Sequence, residues 1–575
     1  MGRPRNPKPL RRALSRRAFL GRTGGAMLAL SALRLLQACG GRSGGDSANT
    51  GAMPSPGANS FLHSVASGDP LANAVVLWTR ITPAGSAAVI VDYVVATDPA
   101  LATVVLAGQV STDASRDYTV KVDALGLQPN TTYYYRFSVP GGQSPIGRTK
   151  TLPVGDTGRL RLAVVSCASL AHGYFNAYRR IGERADLDLV VHLGDYIYEY
   201  GSGQFGNLRV YEPSHEILNL TDYRIRHAQY KRDVDLQELH RQHPMVAIWD
   251  DHEFANDAWS GGAQNHTEGT EGTWTARVAA ALQAYYEWMP VRVADPANLR
   301  KNNRSFALGN LVDLIMLEER INARSQQAMP TGDINLSALT GVGTFTQTGA
   351  FRDPAREMLG AEEETWLTGK LRASTAKWKL IGQGVMFADL KAVPGMVTNG
   401  GGTFLNPDQW DGYQPARDRI YDVLKGSGAA PAVGNVVVLT GDIHSSWAAD
   451  LTQDPNNSNV AEGGYDSATG AGSHAVELIT TSVTSPAIDD TRGIVAAALK
   501  AANPHFKYIE LERRGYMLLD IDATRIVSEW WYVDTVSSRS DAQSFGRAVQ
   551  VTDGANHLGA GAQTAARPSP PALAP

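Results

Sequence analysis

One stretch constrains this chain more than any other: Val190-Val191-His192-Leu193-Gly194-Asp195-Tyr196-Ile197-Tyr198. The mostly apolar run from Leu187 to Leu193 predicts a buried parallel strand, because a strand covered on both faces loses its in–out alternation. Gly194 ends the run where the backbone must turn sharply. Two oxygen donors follow, the Asp195 carboxylate and, three residues on, the Tyr198 phenol. Open α/β sheets bind ligands at the carboxyl ends of their strands, so both donors fall where a ligand is expected. Taken alone, Gly-Asp-x-x-Tyr favours an ordinary turn with a capping Asp and a core Tyr. The other strand ends change that balance.

From Arg159 onward, apolar strands alternate with helical stretches, which is the α/β pattern. Strands are predicted at Leu162–Val165, Leu187–Leu193, Met245–Trp249, Leu311–Leu317, Lys379–Val385, Val436–Thr440 and Val476–Thr480. Helical periodicity covers Tyr174–Ala185, Thr221–His243, Trp274–Trp288, Ala361–Thr375 and Arg417–Lys425, and residues 331–350 and 395–412 read as long loops. Several strand ends carry metal-ligand chemistry. Val164-Val165-Ser166 runs into Cys167, and Ile248-Trp249 runs into Asp250-Asp251-His252-Glu253, with Asn256 shortly after. Leu439-Thr440-Gly441 runs into Asp442-Ile443-His444. Acids at the mouth of one sheet repel unless a cation sits among them. Thiolate, phenolate and imidazole with a carboxylate suit Fe(3+), while oxygen-rich surroundings suit Ca(2+) or another hard divalent ion. Two adjacent metals clamp a phosphoryl group and activate water for in-line attack, and a nearby His then protonates the leaving oxygen.

These motifs, in this order, resemble the PhoD-like alkaline phosphatase/phosphodiesterase family of calcineurin-like metallophosphoesterases. The resemblance covers about residues 61 to 540. It also draws on Val65-Ala66-Ser67-Gly68-Asp69-Pro70, Gly173-Tyr174-Phe175-Asn176, Thr221-Asp222-Tyr223-Arg224, Trp410-Asp411-Gly412-Tyr413, Thr481-Ser482-Val483-Thr484-Ser485-Pro486 and Arg514-Gly515-Tyr516. It implies an α/β fold class: an N-terminal antiparallel β-sandwich, then a four-layer αββα metallophosphoesterase domain with two mixed sheets. It implies an iron site from Cys167, Asp195, Tyr198 and His444, and a second site, often calcium, from Asp195, Asp251 and Asp442. His252 matches the residue that protonates the leaving group, and Asp250 and Asn256 would lie behind the ligands or against the phosphate. Two places depart from the common pattern. Gln383-Gly384 stands where many relatives have Asn-Gln, and Leu317-Glu318-Glu319-Arg320 stands where Leu-Asp-Thr-Arg is common, keeping Arg320 as a phosphate contact. The implied reaction is hydrolysis of phosphate mono- and/or diesters by metal-bound hydroxide. A surface binding protein with a degenerate site and a metallohydrolase of non-phosphate esters are the competing readings.

The rest of the chain frames that site. The first 38 residues hold nine Lys/Arg and no acid, with Arg16-Arg17 ahead of a short apolar stretch, Ala26–Leu36. This reads as a twin-arginine signal that addresses the chain to the twin-arginine export machinery, and the stretch is too short to span a bilayer. Leu36-Gln37-Ala38-Cys39 resembles a lipoprotein box, which would put a lipid anchor on Cys39; ordinary cleavage after Ala38 is the alternative. The expected location is therefore periplasmic or extracellular. Losing residues 1–38 removes nine of 53 basic residues, leaving 44 against 57 acids, a net −13 that does not suit nucleic acid as the main partner. Residues 39–60 read as a flexible tether and 61–155 as the sandwich, where Arg80 and Arg148 look like surface residues. The catalytic domain is expected over 156–540. The segment 541–575 drifts into Gly, Ala and Pro and reads as disordered from about Gly559.

Overall fold

A computed structural model describes residues 59–328, 345–394, 401–428, 430–490 and 492–575. The expected signal, Cys39, most of the tether and much of the two long loops lie outside the described residues.

Two sheets pack face to face. A ten-stranded sheet has at its centre the parallel strands Arg159–Val165, Leu189–Leu193 and Pro244–Ile248. A seven-stranded sheet has at its centre the parallel strands Val312–Met316, Trp378–Gln383, Val436–Thr440 and Ala475–Ile479. Val164, Val191, Leu193 and Val246 of the first interdigitate with Leu314, Met316, Leu380 and Leu439 of the second in one apolar cluster. That packing explains the continuous apolar runs in the sequence, since these strands are buried on both faces. Helices cover the outer face of each sheet: Asn176–Gly182, Leu220–Lys231, Val234–Gln242 and Trp274–Trp288 on one, Gly360–Ala373 and Gln414–Lys425 on the other. The result is the expected four-layer αββα arrangement.

The single helix expected over Thr221–His243 is two helices, Leu220–Lys231 and Val234–Gln242. Asp233 breaks them, because its carboxylate accepts from the Asp235 and Leu236 amides and caps the second helix.

The N-terminal sandwich is not a separate body. Its five-stranded sheet includes Val89–Ala96, Val104–Thr112 and Thr132–Val139, and faces Val65–Gly68, Ala74–Arg80 and Thr119–Leu125. Those last three strands continue the ten-stranded sheet, with Val65–Gly68 lying parallel to Pro244–Ile248. Arg148, expected on the surface, is buried at this junction and donates to the carbonyls of Gln242 and Ala185. Arg80 is half-buried and pairs with Asp117 at 2.7 Å.

The C-terminal segment also departs from expectation. Residues beyond Gly559 are packed rather than disordered. Thr564 bonds Glu529, Arg567 Nη2 lies 2.6 Å from Asp188 Oδ2, and the Ala574 amide donates to Gln242 Oε1 at 2.8 Å. Composition suggested disorder because this tail has little apolar surface, but it docks through ion pairs and backbone hydrogen bonds that composition does not register. Among the described residues, no helix is long and apolar enough to cross a membrane.

Arg567→Met tests the docked tail. Burial would raise the Asp188 pKa, but Arg567 and Lys150 hold it below its ordinary 3.8. The variant should lose about 1–3 kcal/mol of stability in urea unfolding at pH 7. Because the folded pKa is depressed, that difference should be present above pH 3.8 and fade as the pH falls through the folded value.

Candidate active site

The acids and donors from the strand ends meet at the shared mouth of the two sheets. Cys167 follows Arg159–Val165, Asp195 and Tyr198 follow Leu189–Leu193, Asp250 to Glu253 follow Pro244–Ile248, and Asp442 and His444 follow Val436–Thr440. The turns there are tight. Cys167, Asp195, Asp442 and His444 all have left-handed backbone, with φ of 61°, 56°, 58° and 61°. Such strain costs on the order of 1 kcal/mol each in a non-glycine residue and persists where surrounding structure imposes it. Gly194 is required for close approach, because a Cβ there would sit 2.4 Å from the Asp250 Cβ.

Donor atoms converge in three overlapping groups, each within 4.8 Å: Cys167, Asp195 and His444; Asp195, Asp251 and His252; Asp250, Asp251 and Asp442. Tyr198 joins the first. Its hydroxyl donates to Asp195 Oδ2 at 2.9 Å and lies 3.2 Å from His444 Nε2 and 2.6 Å from Ser485 Oγ. All the sequence-predicted metal ligands are therefore in one buried cluster. Burial, then Asp251, Asp250 and Asp442, push the Asp195 pKa well up, against the pull of His252. Burial and Asp195 likewise push the Cys167 thiol and the Tyr198 phenol well above their ordinary values. Asp195 Oδ1 and Asp250 Oδ2 are buried without a hydrogen-bond partner. Buried carboxylate oxygens without donors fit a cation site, and this donor set matches the one expected for it.

The candidate proton donor is fixed by a residue the sequence reading missed. His252 Nδ1 meets Glu199 Oε2 at 2.7 Å, not Glu253 or Asp250, so the candidate role falls to Nε2. Burial alone would lower the His252 pKa, but the carboxylates of Asp251, Glu199 and Asp195 push it well above 6.5. His252 stacks on Tyr198 with ring centroids 4.2 Å apart. Asn256 lies behind this pair: its amide donates to Glu199 Oε1, its Nδ2 bonds Gln264, and its Oδ1 is buried without a partner. Glu199 directly follows Tyr198 in the chain, so an acid next to the ligand run was the available signal.

Glu253 was also missed as a working part. Its carboxylate accepts from the amides of Asp195 and Tyr196 and from Asp250, at 2.8 Å for the last, and so ties two ligand-bearing turns together. Arg226 donates to the carbonyls of Tyr198, Tyr200, Glu212 and Pro213. Arg224 pairs with Glu287 and Arg179 with Glu183, as surface-side partners. Arg320 reaches the site and pairs with Asp250, while Arg324 stops at Asp408 and Tyr413. Glu318 caps the following turn through the amides of Arg320, Ile321 and Asn322, and Glu319 binds the amides of Gly384 and Val385. Trp249, Trp410 and Trp447 are buried walls whose indoles donate to Glu318, Glu319 and Ser445.

Cleaving a phosphoester asks for charge to oppose the phosphoryl group, a proton for the leaving oxygen and a rigid frame, and the strand-end cluster offers all three; the class is a phosphoester hydrolase. Comparison with known proteins supplies the family. A family model described as PhoD-like phosphatase matches residues 162–530, and one for the PhoD-like phosphatase N-terminal domain matches residues 47–153. The chain belongs to the PhoD-like phosphatase family. It is similar to alkaline phosphatase D of Bacillus subtilis strain 168, with 36% identity over 485 residues covering 81% of this chain and 76% of that protein. It is also similar to the solved structure of PhoD, with 33% identity and a TM-score of 0.76, covering 88% of this chain and 93% of that one.

Glu199→Gln should keep the circular dichroism spectrum and lower kcat about 100-fold or more, because His252 loses both its orientation and the charge that keeps it protonated. An unchanged kcat would remove His252 from the proton-donor role.

Proposed function

We propose that the chain is an exported, metal-dependent phosphoesterase that hydrolyses phosphate mono- and/or diesters with Fe(3+) and a second ion such as Ca(2+). The observation that carries the reading is the overlap of the three donor groups on Asp195 and Asp251. Cys167, Asp195, Tyr198 and His444 would hold the iron, and Asp195, Asp251 and Asp442 the second ion. Bound there, the ions would supply Lewis acidity, neutralising charge on the phosphoryl group and lowering the pKa of water.

The chain's own residues do the rest. His252 donates its proton to the leaving oxygen, and Glu199 keeps it oriented and charged. Asp195 belongs to two of the donor groups and would be shared between the two ion positions. To act as a ligand Tyr198 would have to give up its proton, which burial and the neighbouring Asp195 oppose. Ser485 Oγ, 2.6 Å from the phenol oxygen, orients that oxygen. His444 Nδ1 lies 3.1 Å from the Pro486 carbonyl, which leaves Nε2 for ligation. Arg320 offers the phosphate a cation that cannot deprotonate.

A twin-arginine route supports the same reading, because it suits a protein that folds or loads metal before crossing a membrane. The mature protein is then periplasmic or extracellular, with Cys39 available for a lipid anchor.

Elemental analysis and a visible spectrum of the same purified sample test the metal assignment. Stoichiometric iron with a phenolate charge-transfer band lost in Tyr198→Phe is expected; iron absent, or a band indifferent to Tyr198, removes it. Asp195→Ala should abolish hydrolysis of both phosphomonoester and phosphodiester substrates. For export, replacing Arg16-Arg17 by Lys-Lys should leave the protein in the cytoplasm on cell fractionation, and unchanged secretion would sink the twin-arginine reading.

A further inference from the structure

Arg320 is fully buried, yet four carboxylates surround it. Its Nε meets Asp250 Oδ1, and Nη2 lies 3.3 Å from Asp442 Oδ1 and 3.9 Å from Asp251 Oδ1. On the remaining nitrogen, Nη1 lies 2.8 Å from Asp408 Oδ2. Asp250, Asp251 and Asp442 are the same three residues whose donor atoms converge within 4.8 Å as the third metal-competent group. This group shares Asp251 and Asp442 with the second-ion position proposed above and adds Asp250, so one edge of the guanidinium already lies on carboxylates that a divalent ion could use.

The far side is anchored differently. Asp408 also takes Arg324 Nη2 at 2.8 Å and Gln327 Nε2 at 2.6 Å, so it is held in place whether or not Arg320 moves. Gly384 leaves room for the near-side contact, because a Cβ there would lie 2.7 Å from Asp250 Oδ1. A guanidinium does not lose its proton inside a protein, so a buried one needs an anion at all times.

We propose that Arg320 is a resident cation of the Asp250–Asp251–Asp442 group, which competes with a divalent ion there and passes to the substrate phosphate when the ion binds. The inference rests on the metal-dependent reading above and adds a coupling to it. With the carboxylates taken by an ion, the Nε–Nη2 edge is left without its anions. That edge matches two phosphoryl oxygens, while Asp408 keeps Nη1. Ion binding without phosphate is then weakened, because it strands a buried guanidinium edge. Ion and phosphate binding favour each other, and by linkage the factor is the same in both directions.

Calorimetric titration of the mature protein with calcium chloride, with and without saturating inorganic phosphate, tests this. In the wild type, phosphate should tighten calcium binding by at least about fivefold. Arg320→Met should bind calcium at least about fivefold more tightly than wild type without phosphate, and should lose the response to phosphate. Asp408→Asn should do the opposite and weaken calcium binding, because Arg320, released from its anchor, settles onto the three carboxylates. Should Arg320→Met fail to fold, Asp408→Asn decides alone. Calcium affinity unchanged or weaker in Arg320→Met, unchanged or tighter in Asp408→Asn, or indifferent to phosphate in the wild type overturns the proposal. A wild type that loads metal and hydrolyses esters while any of these holds defeats the coupling only. A wild type that takes up no divalent ion defeats the metal reading as well.

Discussion

Asp195, Asp250, Asp251 and Asp442 are buried together at the mouth of two facing sheets, and the rest of the structure answers to that crowding. Like charges so close cannot all ionise in a low-dielectric site unless positive charge is placed among them. Arg320 supplies some of it, and a protonated His252 and a metal centre would supply the remainder. Removing the acids would relieve the repulsion, but it would also remove the carboxylate donors on which all three metal-competent groups draw.

Holding such a cluster together needs a frame that does not relax. The parallel strands deliver the donors from both sheets, and the inter-sheet apolar cluster fixes one sheet against the other. Left-handed backbone at Cys167, Asp195, Asp442 and His444 turns each donor inward at a cost that the neighbouring hydrogen bonds offset. Glu253 staples the Asp195 turn to the Asp250 turn, and the Cys167 and Ala168 amides bond the carbonyls of Gly194 and Asp195. Glu199 does the equivalent for His252. These are backbone and second-residue contacts, and each acts on the direction of a donor rather than on its identity.

The same frame reaches into the N-terminal region. The strands Val65–Gly68, Ala74–Arg80 and Thr119–Leu125 extend the catalytic sheet, and Arg148 and the docked C-terminal segment bridge the two regions. Pattern reading separates a sandwich from an α/β domain because strand periodicity changes near Arg159. Hydrogen bonding does not respect that change, since a sheet edge such as Pro244–Ile248 pairs with whichever strand can lie beside it.

The α/β class, the positions of the parallel strands and the identity of the strand-end donors were all legible in the chain itself. Apolar runs long enough to be buried on both faces are written locally, and a thiol, phenol, imidazole or carboxylate just past such a run is visible without coordinates. Glu199, Glu253 and Asp408 were not legible as working parts, because each acts on a residue or amide brought near only by the fold; Asp408 is 88 residues from the Arg320 it anchors. The docked tail was misread for the same reason: its contacts are with Asp188, Gln242 and Glu529, far away in sequence. The sequence by itself determined which chemistry is present and at which strand ends. Tertiary structure alone decided which donors converge, which nitrogen of His252 meets Glu199 and which acids Arg320 neutralises, because electrostatics and hydrogen bonding depend on distance in space rather than along the chain.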